Sequence, residues 1–170
     1  ALEAKKQNMI EPVLIGPSLK IIAVAEATNR SLEGIEIIDV PHSHAAAEQA
    51  VEEARKGNVV AIMKGKLHTD ELLTPILDKT LGLRTERRVS HIFAFDVPHY
   101  PKPLFITDAA INIYPHLKDK RDIVQNAIDL VQALGIPEPK VAILSAVETV
   151  HPKIASTVDA AALCKMADRG

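Results

Sequence analysis

Aromatic residues are scarce in this sequence: they make up 3% of 170 residues, and Trp is absent. The core must therefore be aliphatic, and the scarcity argues against stacking platforms for single-stranded nucleic acid. An excess of one charge is also missing. Lys and Arg number 20 and Asp and Glu 22, a formal net charge of -2. Such a balance gives no global field for steering to nucleic acid or to an anionic membrane. The only cysteine, Cys164, has no partner for an internal disulfide, which suits a reducing, cytoplasmic compartment. Its place in Ala161-Ala162-Leu163-Cys164 reads as a small buried hydrophobe on an apolar helix face. No run of about 18 apolar residues is present, so no membrane span is expected. Neither the phosphate-loop pattern G-x-x-x-x-G-K-S/T nor the dinucleotide pattern G-x-G-x-x-G occurs.

Hydrophobic residues make up 47% of the chain and charged ones 25%, an ordinary soluble balance. The length fits one domain or parts of two, with room for a sizeable core. Residues 1–7 read as an amphipathic helix, neither a signal segment nor a transit peptide. Strand-like runs at 12–15, 35–40, 59–63, 89–95, 104–107 and 141–144 alternate with helical patterns. The helices are expected at 18–27, 44–56, 69–81, 120–134 and 152–166. Ser43 is expected to cap the second of these and Gly57 to end it. Thr69 is expected to cap the third, where Pro75 either kinks the helix or starts it behind Thr74. The link Val97 to Pro103 is too rich in proline for helix. The alternation predicts βαβ units and a parallel sheet. The chain opens without Met inside a helical pattern and stops directly after another, so it is expected to be part of a longer protein.

Three stretches point to chemistry. The apolar run 59–63 would be a strand buried on both faces, and it delivers Lys64-Gly65-Lys66-Leu67-His68-Thr69 to a helix start. In open α/β sheets, ligands bind beyond the carboxyl ends of strands, and helix N-termini favour anions. Lys64 and Lys66 would bring charge to a phosphate and Thr69 a hydroxyl; the alternative is a turn with solvated lysines and an ordinary cap. His68 could carry a proton, although hydrogen bonding is the simpler role. In Thr107-Asp108-Ala109-Ala110-Ile111-Asn112, Asp108 and Asn112 either meet a ligand or satisfy turn backbone. Ser145, at the end of the run 141–144, either donates to a phosphate or oxyanion or merely caps the strand. Among Arg84, Arg87 and Arg88, mostly read as a solvated loop, Arg84 is the pick for phosphate because it follows the turn Gly82-Leu83. His42 and His44 lack a third ligand nearby, so no metal site is expected.

Together these motifs resemble the phosphate acetyltransferase/phosphate butyryltransferase family. The matching pieces are Ile10 to Pro17, Met63 to Thr69, Arg88 to His91, Phe105 to Pro115 and Pro139 to Ser145, in an order that fits nearly the whole chain. The Lys64-Gly65 form of the loop and Ser145-Ala146-Val147-Glu148 resemble the butyryltransferase-like branch. The resemblance implies an α/β/α fold like that of isocitrate and isopropylmalate dehydrogenases, incomplete at its C-terminus. Residues 1–118 would form the first α/β domain, and 119–170 a linking helix and the start of a second. It implies acyl exchange between acyl-CoA (acetyl or butyryl) and phosphate in a homodimer, with coenzyme A as a substrate and neither a metal nor a separate cofactor. In some relatives an enoyl-CoA hydratase domain precedes. Lys64, Gly65, Lys66, His68, Thr69, Arg84, Asp108, Asn112 and Ser145 would line the site. The family's main catalytic cluster of serine-arginine and aspartate lies beyond Gly170, so the general base is not among these residues. Two other readings stand beside it: a metal-dependent dehydrogenase of the same fold, and a non-catalytic acyl-CoA-binding module.

Overall fold

A computed structural model describes residues 1–170. The backbone forms two contact units, Ala1–Arg84 and Thr85–Gly170. The first holds α1 (Leu2–Lys6), β1 (Val13–Gly16), α2 (Ser18–Ala27), β2 (Glu36–Asp39), α3 (Ser43–Lys56) and α4 (Thr69–Ile76). The second holds β3 (Ile92–Phe95), β4 (Leu104–Thr107), α5 (Leu117–Ala133) and α6 (Ala155–Arg169). No helix is long and apolar enough to cross a membrane.

In the first unit β1 and β2 pair in parallel, Val13 opposite Glu36 and Gly16 opposite Asp39, with α2 as the crossover. This is the expected βαβ unit. Asp39 Oδ1 accepts the Ser18 N–H at 2.7 Å and so ties the end of β2 to the first turn of α2. Ala47 and Val51, one helical turn apart on α3, are buried, as is Ala25 on α2. Helix α3 ends where Gly57 takes the left-handed conformation, φ +76°, which the absence of a Cβ makes easy.

Two helix starts differ from expectation. His42 rather than Ser43 caps α3, its Nδ1 accepting the Ala45 N–H at 3.1 Å. His68 rather than Thr69 stands at the cap of α4. In both, the Ser or Thr already has helical geometry, and the extended residue is the one before it. Helix α4 also stops at Ile76 instead of 81. Pro75 lies in its last turn and supplies no N–H to Glu71 O, which weakens that turn. Asp78 Oδ1 then takes the Thr80 and Leu81 N–H groups at 2.8 and 2.7 Å, and Leu83 N–H returns to Ile76 O at 2.9 Å. This turn requires glycine at 82: a Cβ there would lie 2.5 Å from both Ile76 O and Asp78 O.

In the second unit β3 and β4 are antiparallel, Ile92 opposite Thr107 and Phe95 opposite Leu104, which corrects the expectation of a wholly parallel sheet. The reason is the connection. Residues 96–103 hold no helix, and a parallel crossover needs roughly a dozen residues or more. Strand β3 also begins later than 89. Residues 88–90 give their hydrogen bonds to side chains of α5 and of the loop after β4 instead of to a ladder. Helix α5 starts three residues earlier than expected, with Asp119 Oδ2 accepting the His116 N–H at 3.0 Å. It packs on β4 and α6, and Ile123, Val131 and Leu163 are buried.

The runs 59–63 and 141–144 are not strands. Apolar side chains supply the faces of a sheet, but a strand also needs a backbone partner, and neither run pairs with β1–β4. Val60 is fully exposed and Leu144 85% exposed, so neither run is the buried strand that its composition suggests.

Candidate functional site

The Lys64–Thr69 loop is built onto the start of α4. Lys64 Nζ donates to Leu67 O at 3.1 Å, which folds this side chain back over its own loop. Lys66 is exposed and forms no ion pair or hydrogen bond. Gly65 is exposed, and a Cβ there would meet nothing within 4 Å. Glu71 organises the helix start. Its Oε2 accepts the His68 N–H at 2.8 Å, and its Oε1 accepts the Ser43 hydroxyl at 3.1 Å. His44 Nδ1 lies 3.5 Å from the same Oε1. The two helix starts, of α3 and α4, are thus joined through one carboxylate. The His68 amide holds the Glu71 carboxyl below its ordinary pKa, with help from Ser43 against partial burial. The amides of Thr69 and Asp70 have no hydrogen-bond partner at the positive end of α4, and Lys66 lies two residues before the cap residue His68.

In the second unit Asp108 and Asn112 come together as one network. Asp108 Oδ1 accepts the N–H groups of Ala110 and Ile111 at 3.0 and 3.1 Å. Its Oδ2 accepts the Asn112 N–H at 3.1 Å and also the Asn112 side-chain amide. Burial alone would raise the pKa of Asp108, but these donors outweigh it and hold the carboxyl below its usual range. Asp108 therefore satisfies turn backbone, the structural alternative open in the sequence. Asn112 reaches outward as well: its Nδ2 donates to Val89 O at 2.9 Å, and its Oδ1 accepts from Arg88 Nε at 2.8 Å.

The remaining predicted residues stand apart from these networks. Ser145 is half-buried and shares a 2.6 Å hydrogen bond with Ser156 of α6; no hydrogen bond joins it to Asp108 or Asn112. Arg84 is exposed and unpaired at the end of the first unit. His42 is occupied as a helix cap, and His44 faces Glu71. Cys164 is exposed, which corrects its reading as a buried hydrophobe. Leu163, one position earlier, is the residue that α6 turns inward, and the next residue projects about 100° further round.

Sequence reasoning did not assign Glu71, Asp122 or Asn126 to the site, and it ranked Arg88 below Arg84. Glu71 stands three residues after His68, the spacing of a capping box, but with His in place of Ser or Thr. Arg88 was legible within Arg88-Val89-Ser90-His91, where the argument from tight turns favoured Arg84 instead. Asp122 and Asn126, on α5, carry no local signal.

Comparison with known proteins decides the family. The model described as phosphate acetyl/butaryl transferase matches residues 43–170. The chain belongs to this family. Among its relatives is a phosphate acetyltransferase of Rhizobium meliloti, 58% identical over 170 residues, covering 100% of this chain and 54% of that protein. A phosphate butyryltransferase of Clostridium acetobutylicum is 40% identical over 168 residues, covering 99% of this chain and 56% of that protein. The crystal structure of a branched-chain phosphotransacylase from Enterococcus faecalis V583 matches with TM-score 0.70 at 26% identity, over 91% of this chain and 64% of that one. The chain thus spans about half the length of the curated relatives it matches. The family match includes α3, the Lys64–Thr69 loop, α4 and the whole second unit.

Proposed function

We propose that this chain forms part of a phosphate acyltransferase, which exchanges an acyl group between acyl-CoA and inorganic phosphate. The observation that carries this reading is the match of residues 43–170 to the phosphate acetyl/butaryl transferase family. The Lys64–Thr69 loop adds local chemistry: an unpaired lysine, Lys66, in the loop that leads into a helix start with open amides suits a phosphate oxyanion. In the forward direction a phosphate oxygen attacks the acyl carbonyl carbon and forms a tetrahedral oxyanion. That intermediate collapses with cleavage of the C–S bond, and the CoA thiolate leaves. The protein's work is to bring two anionic reactants together and to stabilise the developing charge.

In this reading Lys66, Thr69 and the α4 amides bind phosphate or acyl phosphate, while Lys64, Gly65 and His68 shape the loop. Arg84, Asp108, Asn112 and Ser145 are assigned to the surroundings of the substrates. Asp108 acts indirectly, by fixing the turn that presents Asn112. The fold of the whole protein is read as the two-domain α/β/α type of isocitrate and isopropylmalate dehydrogenases. Support comes from the parallel β1–α2–β2 unit and from the phosphotransacylase structural neighbour.

The test is steady-state kinetics of Lys66→Ala and Thr69→Ala in acyl-CoA phosphorolysis. Both substitutions are expected to raise the phosphate KM more than the acyl-CoA KM. An unchanged phosphate KM in both variants would remove the loop from the mechanism.

A further inference from the structure

We propose that Arg88 is an anion-binding residue of the second unit, aimed by Asn112 and mounted on α5 by Asp122 and Asn126; this rests on the acyltransferase reading. Arg88 projects a side chain that is 59% exposed. Its Nε donates to Asn112 Oδ1 at 2.8 Å, while neither Nη group has a hydrogen-bond partner. A guanidinium is planar, so fixing Nε fixes the direction of the two Nη groups. The result is an oriented pair of donors with no protein partner, suited to two oxygens of one phosphoryl group.

Of the neighbouring carboxylates, Asp119 makes a long ion pair with Arg88 at Nε and leaves both Nη groups without a hydrogen-bond partner. Asp119 Oδ1 stands 3.8 Å from Arg88 Nε, and the other oxygen of Asp119 holds the His116 N–H. Asp108 is committed to its own turn and to Asn112. Arg87, by contrast, closes directly on Asp129 and has its charge matched there.

The backbone below Arg88 is held at successive points. Asp122, only 5% exposed, accepts the Arg88 N–H at 3.1 Å, and its other oxygen is paired with Arg121 Nη2 at 2.8 Å. Asn126 Nδ2 donates to Arg88 O at 2.8 Å and lies 3.0 Å from Ser90 Oγ. Asn112 Nδ2 donates to Val89 O at 2.9 Å. Three side chains from α5 and the post-β4 loop therefore grip residues 88–90, an irregular segment just before β3. Such over-determination of a short segment is expected where a side chain must be presented in one direction, and Arg88 is the long charged side chain this segment presents. Asp122 and Asn126 are positioning residues in this arrangement.

A phosphoryl group could come from inorganic phosphate or from the phosphates of CoA, and kinetics separate the two. The experiment compares the whole protein of which this chain forms part with its Arg88→Ala, Arg88→Lys, Asn126→Ala and Arg87→Ala variants, recording KM for phosphate and for acyl-CoA, kcat and thermal midpoint. Calorimetric titration with inorganic phosphate and with CoA accompanies the kinetics. Arg88→Ala is expected to raise one KM, and to weaken binding of the same ligand, by about tenfold or more. A rise confined to phosphate assigns inorganic phosphate, and one confined to acyl-CoA assigns the CoA phosphates. Arg88→Lys restores charge without the fork and is expected to recover only part of the loss. Asn126→Ala is expected to raise the same KM with kcat nearly unchanged, a split that mere loss of stability would not produce. Arg87→Ala is expected to leave both KM values as they are.

Unchanged KM values in Arg88→Ala, with the wild-type protein turning over, overturn this proposal and leave the acyltransferase reading intact. A whole wild-type protein that shows no acyl transfer overturns that reading; loss of phosphate or CoA binding in Arg88→Ala would then still support the anion site, and unaltered or absent binding would refute it. A normal KM in Asn126→Ala beside a raised one in Arg88→Ala refutes the mounting role alone.

Discussion

Replacing Asp108 by asparagine probes the turn that follows β4. The carboxylate accepts the N–H groups of Ala110, Ile111 and Asn112 at 3.0–3.1 Å, and a further bond from the Asn112 side chain. A neutral hydrogen bond contributes about 0.5–1.5 kcal/mol net, and one to a charged group about 1.5–3 kcal/mol. Asp108 is half-buried, and freed amides on its open side regain water, so the lower figures apply. Asparagine keeps one carbonyl oxygen for Ala110 and Ile111 but turns an amide towards the two Asn112 donors. Losing that half of the network should cost about 1–2 kcal/mol at neutral pH. The pH dependence gives the sharper test. The folded-state pKa of Asp108 lies below its ordinary value. Its stabilisation is therefore fully present above the unfolded pKa of about 4, and is lost as pH falls through the folded value. Urea unfolding of both proteins, followed by far-ultraviolet circular dichroism, should show a gap at neutral pH that closes under acid conditions. Equal stability at neutral pH, or a gap that persists unchanged into acid, would refute the charged network.

Further perturbations follow from other parts of the structure. Glu71→Ala removes the acceptor of the His68 N–H and of the Ser43 hydroxyl, so α4 should lose about 1 kcal/mol of local stability, read as faster amide exchange in its first turns. Gly82→Ala forces a Cβ to within 2.5 Å of two carbonyl oxygens, and should lower the urea midpoint by more than an exposed Gly65→Ala does. Cys164 is exposed and should react with a thiol reagent in the native protein, without denaturant; protection until unfolding would contradict its place on α6.

Much of the first unit was legible because its signals are local. The β1–α2–β2 crossover, α3 and its glycine end follow from periodicity and from one conformational requirement at Gly57. The helix starts were legible only to within a residue, since His42 and His68 occupy caps that propensity gives to Ser43 and Thr69. The apolar runs at 59–63 and 141–144 misled for a different reason. Composition reports how well a segment would fit a buried sheet, while pairing depends on a distant backbone. The antiparallel turn between β3 and β4 could have been inferred from the short proline-rich connection, had its length been weighed.

The candidate site divides in the same way. Lys64, Gly65, Lys66, His68 and Thr69 are contiguous, and a strand-to-helix pattern brings them into view. The surroundings of Arg88 depend on residues 24 to 38 positions away, at Asn112, Asp122 and Asn126. No single-sequence pattern joins residues so separated. Asp108 looked equally suited to ligand contact and to turn formation, and only its hydrogen bonds distinguish the two.

The central claim is acyl transfer to phosphate, and the most direct measurement is thiol release from acetyl-, propionyl- and butyryl-CoA with and without inorganic phosphate. Protein thiols, Cys164 among them, are subtracted by a substrate-free control. The account predicts release that depends on phosphate and is matched by acyl phosphate, with the order of rates identifying the preferred acyl group. Absence of release from all three by the whole protein of which this chain forms part, or release that proceeds equally without phosphate, would contradict it.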